Sequence, residues 1–205
     1  MIIQSSLMEP VVQKSFKFHR SSFDISRFIV ENEKVRAFYT TDLGALFDGD
    51  CLQIMPSIKE EIADAIFADP PFNLQKIYGK KTNDNRSESE YIEWSYCWID
   101  ECLRILKPGG AIFIYNLPKW NIRIGAYLME LGMTFRHDIA IDIRSSFPIS
   151  GRLYPSHYSL LYFTKGKPKT FRKIRTPIEQ CRSVAILQSL KSYHSGWVFQ
   201  FALSS

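Results

Sequence analysis

A short apolar run, Ala65-Ile66-Phe67-Ala68, stops abruptly at Asp69-Pro70-Pro71-Phe72-Asn73. This stretch constrains the fold more than any other in the chain. An apolar run of this length bounded by turn residues reads as a buried β-strand. Each proline fixes its own φ near about −65° and lacks an N–H, and it keeps the residue before it out of the helical region. The chain must therefore leave the sheet as a stiff, extended corner. In open α/β sheets the carboxyl ends of the strands line the ligand crevice. The corner offers a carboxylate (Asp69), a backbone carbonyl (Pro70) and an aromatic face (Phe72) in close succession.

That combination suits one kind of chemistry. An exocyclic amino group on a nucleobase is a poor nucleophile, because its lone pair is conjugated into the ring. Two acceptors aimed at its two N–H bonds draw the nitrogen toward tetrahedral geometry and free the lone pair. Asp69 and the Pro70 carbonyl form such a pair, and preorganised dipoles of this sort are a strong catalytic device. Phe72 can stack on a base flipped out of a duplex. An ordinary turn after a strand is the structural alternative for these residues alone.

The surrounding chain predicts an α/β unit. Residues 36–50 read as a strand or hairpin ending in Phe47-Asp48-Gly49-Asp50-Cys51. Asp50 is either the N-cap of a short helix from Leu52 to about Glu61 or an acid facing a ribose, or both. Residues 74–88 read as a lysine-rich loop (Lys76, Lys80, Lys81, Arg86) above the corner, either a phosphate contact or a solvated loop. Ser87-Glu88-Ser89-Glu90 is a capping box. It opens a helix with Ile92, Tyr96, Ile99, Leu103 and Leu106 at helical spacing, closed by Lys107-Pro108-Gly109-Gly110. A second strand at 111–115 follows. Strand, helix and strand in this order make a right-handed crossover and a parallel pair. A helix from Leu117 to Leu131 and strands at 135–143 and 157–164 complete the pattern. The turn residues between those strands predict a hairpin with an antiparallel strand at one edge. Residues 165–175 hold six basic side chains, either a phosphate site or a solvated face. Residues 1–35, with Phe16, Phe18, Phe23 and Phe28, read as an extension packed on the domain.

Composition narrows the class. A hydrophobic content of 45% in 205 residues supports one domain with a real core. A net charge of +5 suits a polyanionic partner. The four cysteines form no C-x-x-C pair and the four histidines are scattered, so no metal site and no disulfide framework are expected, and the thiols are those of a cytoplasmic protein. No apolar run is long enough to span a membrane, and no signal peptide is apparent.

In its ordered motifs the chain resembles the DNA amino-methyltransferases of the permuted (β) class, in which the catalytic motif precedes the cofactor motif. The resemblance rests on Gly49-Asp50-Cys51, Asp69-Pro70-Pro71-Phe72-Asn73, Leu106-Lys107-Pro108-Gly109-Gly110 and Tyr154-Pro155-Ser156-His157-Tyr158, and runs from about residue 40 to 180. It implies a Rossmann-like α/β fold with a mostly parallel sheet and an antiparallel edge hairpin, and S-adenosylmethionine as methyl donor. It also implies double-stranded DNA as partner and a possible restriction–modification subunit beside it. By the same resemblance Asp69, Pro70, Pro71 and Phe72 are catalytic, while Asp50, Asp69 and Asn73 lie at the cofactor. An acid at position 69 resembles adenine-N6 enzymes more than cytosine-N4 enzymes. The family also carries a Phe-x-Gly-x-Gly loop at the cofactor, and no Gly-x-Gly occurs in these 205 residues. The expectation is therefore a catalytic unit at 36–181 lacking its cofactor half, with an atypical tail at 182–205, in which activity depends on the missing half being supplied or dispensable. A remnant that only binds DNA is the alternative. Methylation of RNA or of a protein amide is a further reading, and Asp69 argues against the amide, where asparagine is usual.

Overall fold

A computed structural model describes residues 23–30, 35–74, 77–78, 82–83, 86–143, 150–151, 156–169 and 198–202. Residues 1–22, Lys76, Lys80, Lys81, Tyr154-Pro155, and the basic and tail residues from Arg172 to Gly196 lie outside this set. In chain order the elements are β1 (Tyr39–Thr41), β2 (Gly44–Leu46), α1 (Cys51–Ile54), β3 (Ala63–Asp69), β4 (Ile77–Tyr78), β5 (Thr82–Asn83) and α2 (Glu88–Ile105). They continue with β6 (Leu106–Asn116), α3 (Pro118–Glu130), β7 (Thr134–Asp142), β8 (His157–Thr164) and β9 (Val198–Ala202).

The central sheet has the order β7-β8-β6-β3-β9. β3 and β6 pair in parallel, joined by α2 as expected from the strand–helix–strand pattern. β8 runs antiparallel to both β6 and β7, and β9 antiparallel to β3. β3, β6 and β7 thus share one direction, but only the β3–β6 ladder is parallel. The expected antiparallel hairpin is at the edge, as β7 and β8, but the expected mostly parallel sheet is corrected: among the described strands the sheet is mixed, because β8 and β9 both enter antiparallel. Within the hairpin β8 inserts between β6 and β7, so the edge belongs to β7. The apolar pattern explains this: Leu160, Leu161 and Phe163 of β8 are buried, whereas β7 is exposed along most of its length. Residues 198–202, which the sequence assigned to a tail, add the fifth strand beside β3.

α2 and α3 cover one face of the sheet. Tyr91, Ile92, Trp98, Ile99, Cys102 and Ile105 of α2 and Trp120, Ile124 and Leu128 of α3 join Ile66, Ala68, Ile112, Ile114 and Phe163 in one core. Alternation along the strands turns Phe67, Asp69, Phe113 and Tyr115 to the opposite face, where they are only half-buried. The α2 start is a full capping box: Ser87 Oγ accepts from the Glu90 N–H, and the Glu90 carboxylate accepts from the Ser87 N–H. Its end differs from expectation. The helix stops at Ile105, and Lys107-Pro108-Gly109-Gly110 belongs to β6. Leu106 is fully buried opposite Ala63, so strand pairing claims it. Gly109 is required there: its φ is +81°, and a Cβ would approach the Lys167 carbonyl to 2.9 Å.

The helix after Asp50 is shorter than its pattern. α1 gives way to a 3₁₀ turn at Met55–Ser57, which contains Pro56. Residues 28–30 run beside that turn, with a bridge between Ile29 and Ile58 and a Lys59 N–H bonded to the Phe28 carbonyl at 2.9 Å. Arg104 ties α2 to the same turn through the Met55 and Ile58 carbonyls. No helix among the described residues is long and apolar enough to cross a membrane.

Candidate active site

β3 carries its alternating pattern to Asp69 and delivers the corner at the carboxyl end of the sheet. The Asp69 carboxyl is half-buried, and burial pushes it up from 3.8 to about 6. Burial is the cause because no cation or N–H donor among the described residues offsets the lost hydration. Pro70 is buried, and among the described residues nothing donates to its carbonyl. The two acceptors expected to polarise an amino group therefore stand next to each other with their lone pairs unspent.

Phe72 does not stand alone. Its ring centroid lies 5.5 Å from Tyr115 and 5.3 Å from Tyr158, and those two tyrosines are 5.4 Å apart. Tyr115 comes from the end of β6 and Tyr158 from the start of β8, so antiparallel insertion of β8 is what brings them together. Burial first, then the neighbouring Tyr158 and Asp69, push the Tyr115 phenol up to about 12. It stays neutral at physiological pH. The result is a half-exposed aromatic wall beside the carboxylate, a surface on which a planar base can lie. Sequence reasoning missed Tyr115 and Tyr158 as site residues. The available signal was positional, since an aromatic at the carboxyl end of a second strand sits at the same crevice.

The other expected residues divide. Asp50 N-caps α1, its Oδ1 accepting from the Leu52 N–H at 3.0 Å, and its exposed carboxylate keeps Oδ2 available. Asn73 sits at φ +53°, and its side-chain amide pairs with the Arg86 backbone, donating to the carbonyl at 2.9 Å and accepting from the N–H at 3.0 Å. That clamp closes the loop between 74 and 85 at its base, where Ile77–Tyr78 and Thr82–Asn83 pair as a small ladder. Arg86 in turn lies 4.8 Å over the Trp94 ring. Pro71 contributes its carbonyl to the Tyr91 phenol at 2.6 Å, and Phe72 its carbonyl to the Trp120 indole at 2.8 Å.

The described part of the basic cluster is elsewhere. Ser159 pairs with Asn116 at the end of β6 and Thr164 with Ala111 five residues earlier, and Lys165 continues the pairing to Gly109 and Gly110. Lys165 to Lys169 thus lie at the amino edge of the sheet, opposite the corner. Lys165 Nζ is spent on the Leu103 and Leu106 carbonyls at 3.0 Å each, closing the end of α2. This removes it as a phosphate contact at the Asp69 site. Among the described residues no group of His, Cys, Asp and Glu is arranged to hold a metal ion.

Comparison with known proteins fits this geometry. The N6_N4_Mtase family model, described as DNA methylase, matches residues 63–202. The chain is 49% identical over 150 residues to the type II methyltransferase M.BamHI of Bacillus amyloliquefaciens, covering 73% of this chain and 35% of that protein. It is 36% identical over 143 residues to the type II methyltransferase M.HpaI of Haemophilus parainfluenzae, covering 68% of this chain and 45% of that one. The chain thus spans about a third of the length of the first relative and just under half of the second. Among solved structures, the PvuII DNA methyltransferase (cytosine-N4-specific) superposes with a TM-score of 0.52 at 23% identity, over 65% of this chain and 53% of its own. That likeness is one of fold. With a family match over most of its length and the Asp-Pro-Pro-Phe corner at the carboxyl end of its parallel strand pair, this chain belongs to the N6/N4 DNA methylase family.

Proposed function

We propose that this chain is the catalytic portion of a DNA methyltransferase that moves a methyl group from S-adenosylmethionine to the N6 amino group of adenine. The observation that carries the reading is the Asp69–Pro70 pair of acceptors beside the Phe72, Tyr115 and Tyr158 rings. The acid at position 69 is what favours adenine. A flipped base lies against the aromatic wall with its amino group toward the corner. Asp69 and the Pro70 carbonyl accept its two N–H bonds, which localises the lone pair on nitrogen. S-adenosylmethionine, when bound, supplies an electrophilic methyl whose bond to sulfur breaks as the bond to nitrogen forms. The displaced electron pair stays on sulfur, and one proton leaves the nitrogen through Asp69 or water. Positioning and electrostatics account for the rate without a covalent enzyme intermediate.

The residues on hand fit the donor in part. Asp50 and Asp69 each offer a carboxylate oxygen to its hydroxyl or ammonium groups, whereas the Asn73 amide is engaged with Arg86. We assign Asp50 and Asp69 to the cofactor side and Asn73 to the loop base.

Calorimetric titration with S-adenosylmethionine, with Asp69→Ala as control, tests the first half of the proposal. Saturable binding weakened in the control is expected. Nucleoside mass spectrometry of unmethylated DNA after incubation tests the second half, with N6-methyladenine expected. N4-methylcytosine would move the target to cytosine. Absence of both modified bases, with DNA still bound, would leave a DNA-binding remnant.

A further inference from the structure

We propose that Tyr91, Asn116 and Trp120 are positioning residues that aim the Asp69–Pro70 corner through the two carbonyls that follow it. The inference rests on the reading of that corner as the methyl-acceptor site. All three side chains are buried, at 1%, 0% and 2% exposure. The Tyr91 phenol donates to the Pro71 carbonyl at 2.6 Å and accepts from Asn116 Nδ2 at 2.9 Å. The Trp120 indole donates to the Phe72 carbonyl at 2.8 Å. The Tyr91 and Trp120 rings pack at 4.6 Å between centroids, so the two donors support each other.

The relay has a direction that donor and acceptor chemistry imposes. Asn116 Oδ1 accepts the Leu117 N–H at 2.7 Å, and a backbone N–H can only donate. The amide is therefore oriented with Nδ2 toward Tyr91. Since Nδ2 donates, the phenol must accept there, and its single hydrogen goes to Pro71. An indole N–H has no acceptor role, so Trp120 is equally one-way. Successive carbonyls, those of Pro71 and Phe72, are thus held from the helical face of the sheet.

The consequence falls on Pro70. The Pro71 ring fixes φ, and Tyr91 fixes the direction of the Pro71 carbonyl. The peptide plane carrying the Pro70 carbonyl then has little rotational freedom relative to Pro71. Asp69 is held from its other side by its pairing with Val198 of β9, and Ala68 before it by the ladders to both β6 and β9. The corner is anchored behind both acceptors while the acceptors themselves stay open. Asn116 lies at the last position of β6, and Leu117 N-caps α3, so the relay also locks the corner to the neighbouring strand end. A buried hydrogen-bonded network of this kind rigidifies its surroundings.

The test uses Tyr91→Phe and Trp120→Phe, each removing a donor while keeping a ring. Tyr127→Phe is the control, because that phenol donates to Asp100 on the helical surface at 2.7 Å, away from the corner. Thermal unfolding first establishes that each variant folds. Asp69 titration followed by carbon-13 NMR then reads the corner without any ligand. Its midpoint is expected to fall by half a pH unit or more in both relay variants, as water reaches a loosened carboxylate, and to hold in the control. An unchanged midpoint in both would overturn the proposal whether or not the protein methylates DNA. In methyl transfer, kcat is expected to drop about tenfold with KM for S-adenosylmethionine within twofold, and an unchanged kcat would also overturn it. If the unaltered chain transfers no methyl group yet the midpoint moves as described, the proposed function fails and the positioning role stands.

Discussion

At the residue scale, chemistry and stability pull against each other at Asp69. Its folded-state carboxyl sits near 6 instead of 3.8, because burial strips water from the charged form. The folded protein therefore binds this proton more tightly than the unfolded chain does, and ionisation costs stability as pH rises from about 4 to about 6. On the proposed function Asp69 accepts in its ionised form, so the rate of methyl transfer should climb through pH 6 and fall about tenfold per unit below it. Asp69→Asn should abolish transfer while raising Tm at pH 7, with the gain shrinking toward pH 4, as read by calorimetry at both values. Functional groups held at the expense of stability commonly behave this way. Asn73 shows the opposite balance. It occupies the left-handed region, which asparagine tolerates, and its amide forms two bonds to Arg86. Asn73→Ala should cost about 1–3 kcal/mol in urea unfolding, since it loses both tolerance and bonds, and Asn73→Gly less, since it loses only the bonds.

At the element scale, the decisive strands are β8, whose bounds the pattern gave but not its place in the sheet, and β9, which it left in a tail. β8 reads from sequence as half of a hairpin, and it is. Its buried Leu160, Leu161 and Phe163 carry it into the sheet interior, and with it Tyr158 reaches Phe72. β9 follows a segment with no recognisable motif, yet it pairs with β3 from Ala65 to Asp69. An apolar strand with an open edge is a template for association. Removing residues 198–205 should therefore leave β3 unpaired on that side and produce larger species in light scattering, with secondary structure in α2 and α3 retained. An unchanged size distribution would mean that β9 does not protect the β3 edge from association. The helices need no such tertiary argument, because the Ser87–Glu90 capping box and the Pro118 start lie in the local sequence.

At the scale of the whole molecule, one core on one face of the sheet organises everything. Ile66 of β3, Ile114 of β6 and Ile124 of α3 are fully buried in the same cluster. Replacing any of them with alanine should cost about 2–5 kcal/mol. All three should shift a single cooperative transition, monitored by circular dichroism and tryptophan fluorescence together, and separate transitions would mean separate cores. The helices fill this face and leave Phe67, Phe113 and Tyr115 half-exposed on the other. The corner lies at the rim between the two. Its anchors come from the helical side and its acceptors stay unspent, which is how a site can be both rigid and open.

The sequence by itself determined the corner, because two prolines after an apolar run act through covalent geometry and need no partner. It likewise determined α2, α3 and the crossover, where spacing and caps are local. It made Asp69, Pro70 and Phe72 legible as a group, since their chemistry is contained in four consecutive residues. Asp50 was legible as a cap for the same reason. Tertiary structure alone decided the rest. Tyr91, Asn116 and Trp120 are ordinary core residues by pattern, and only packing of α2 and α3 on the sheet turns their polar atoms toward Pro71 and Phe72. Strand insertion decided which aromatics face Asp69, and it sent Lys165 to Lys169 to the far edge. Strand order depends on which apolar faces bury each other best, a contest between distant segments that no single window of sequence records.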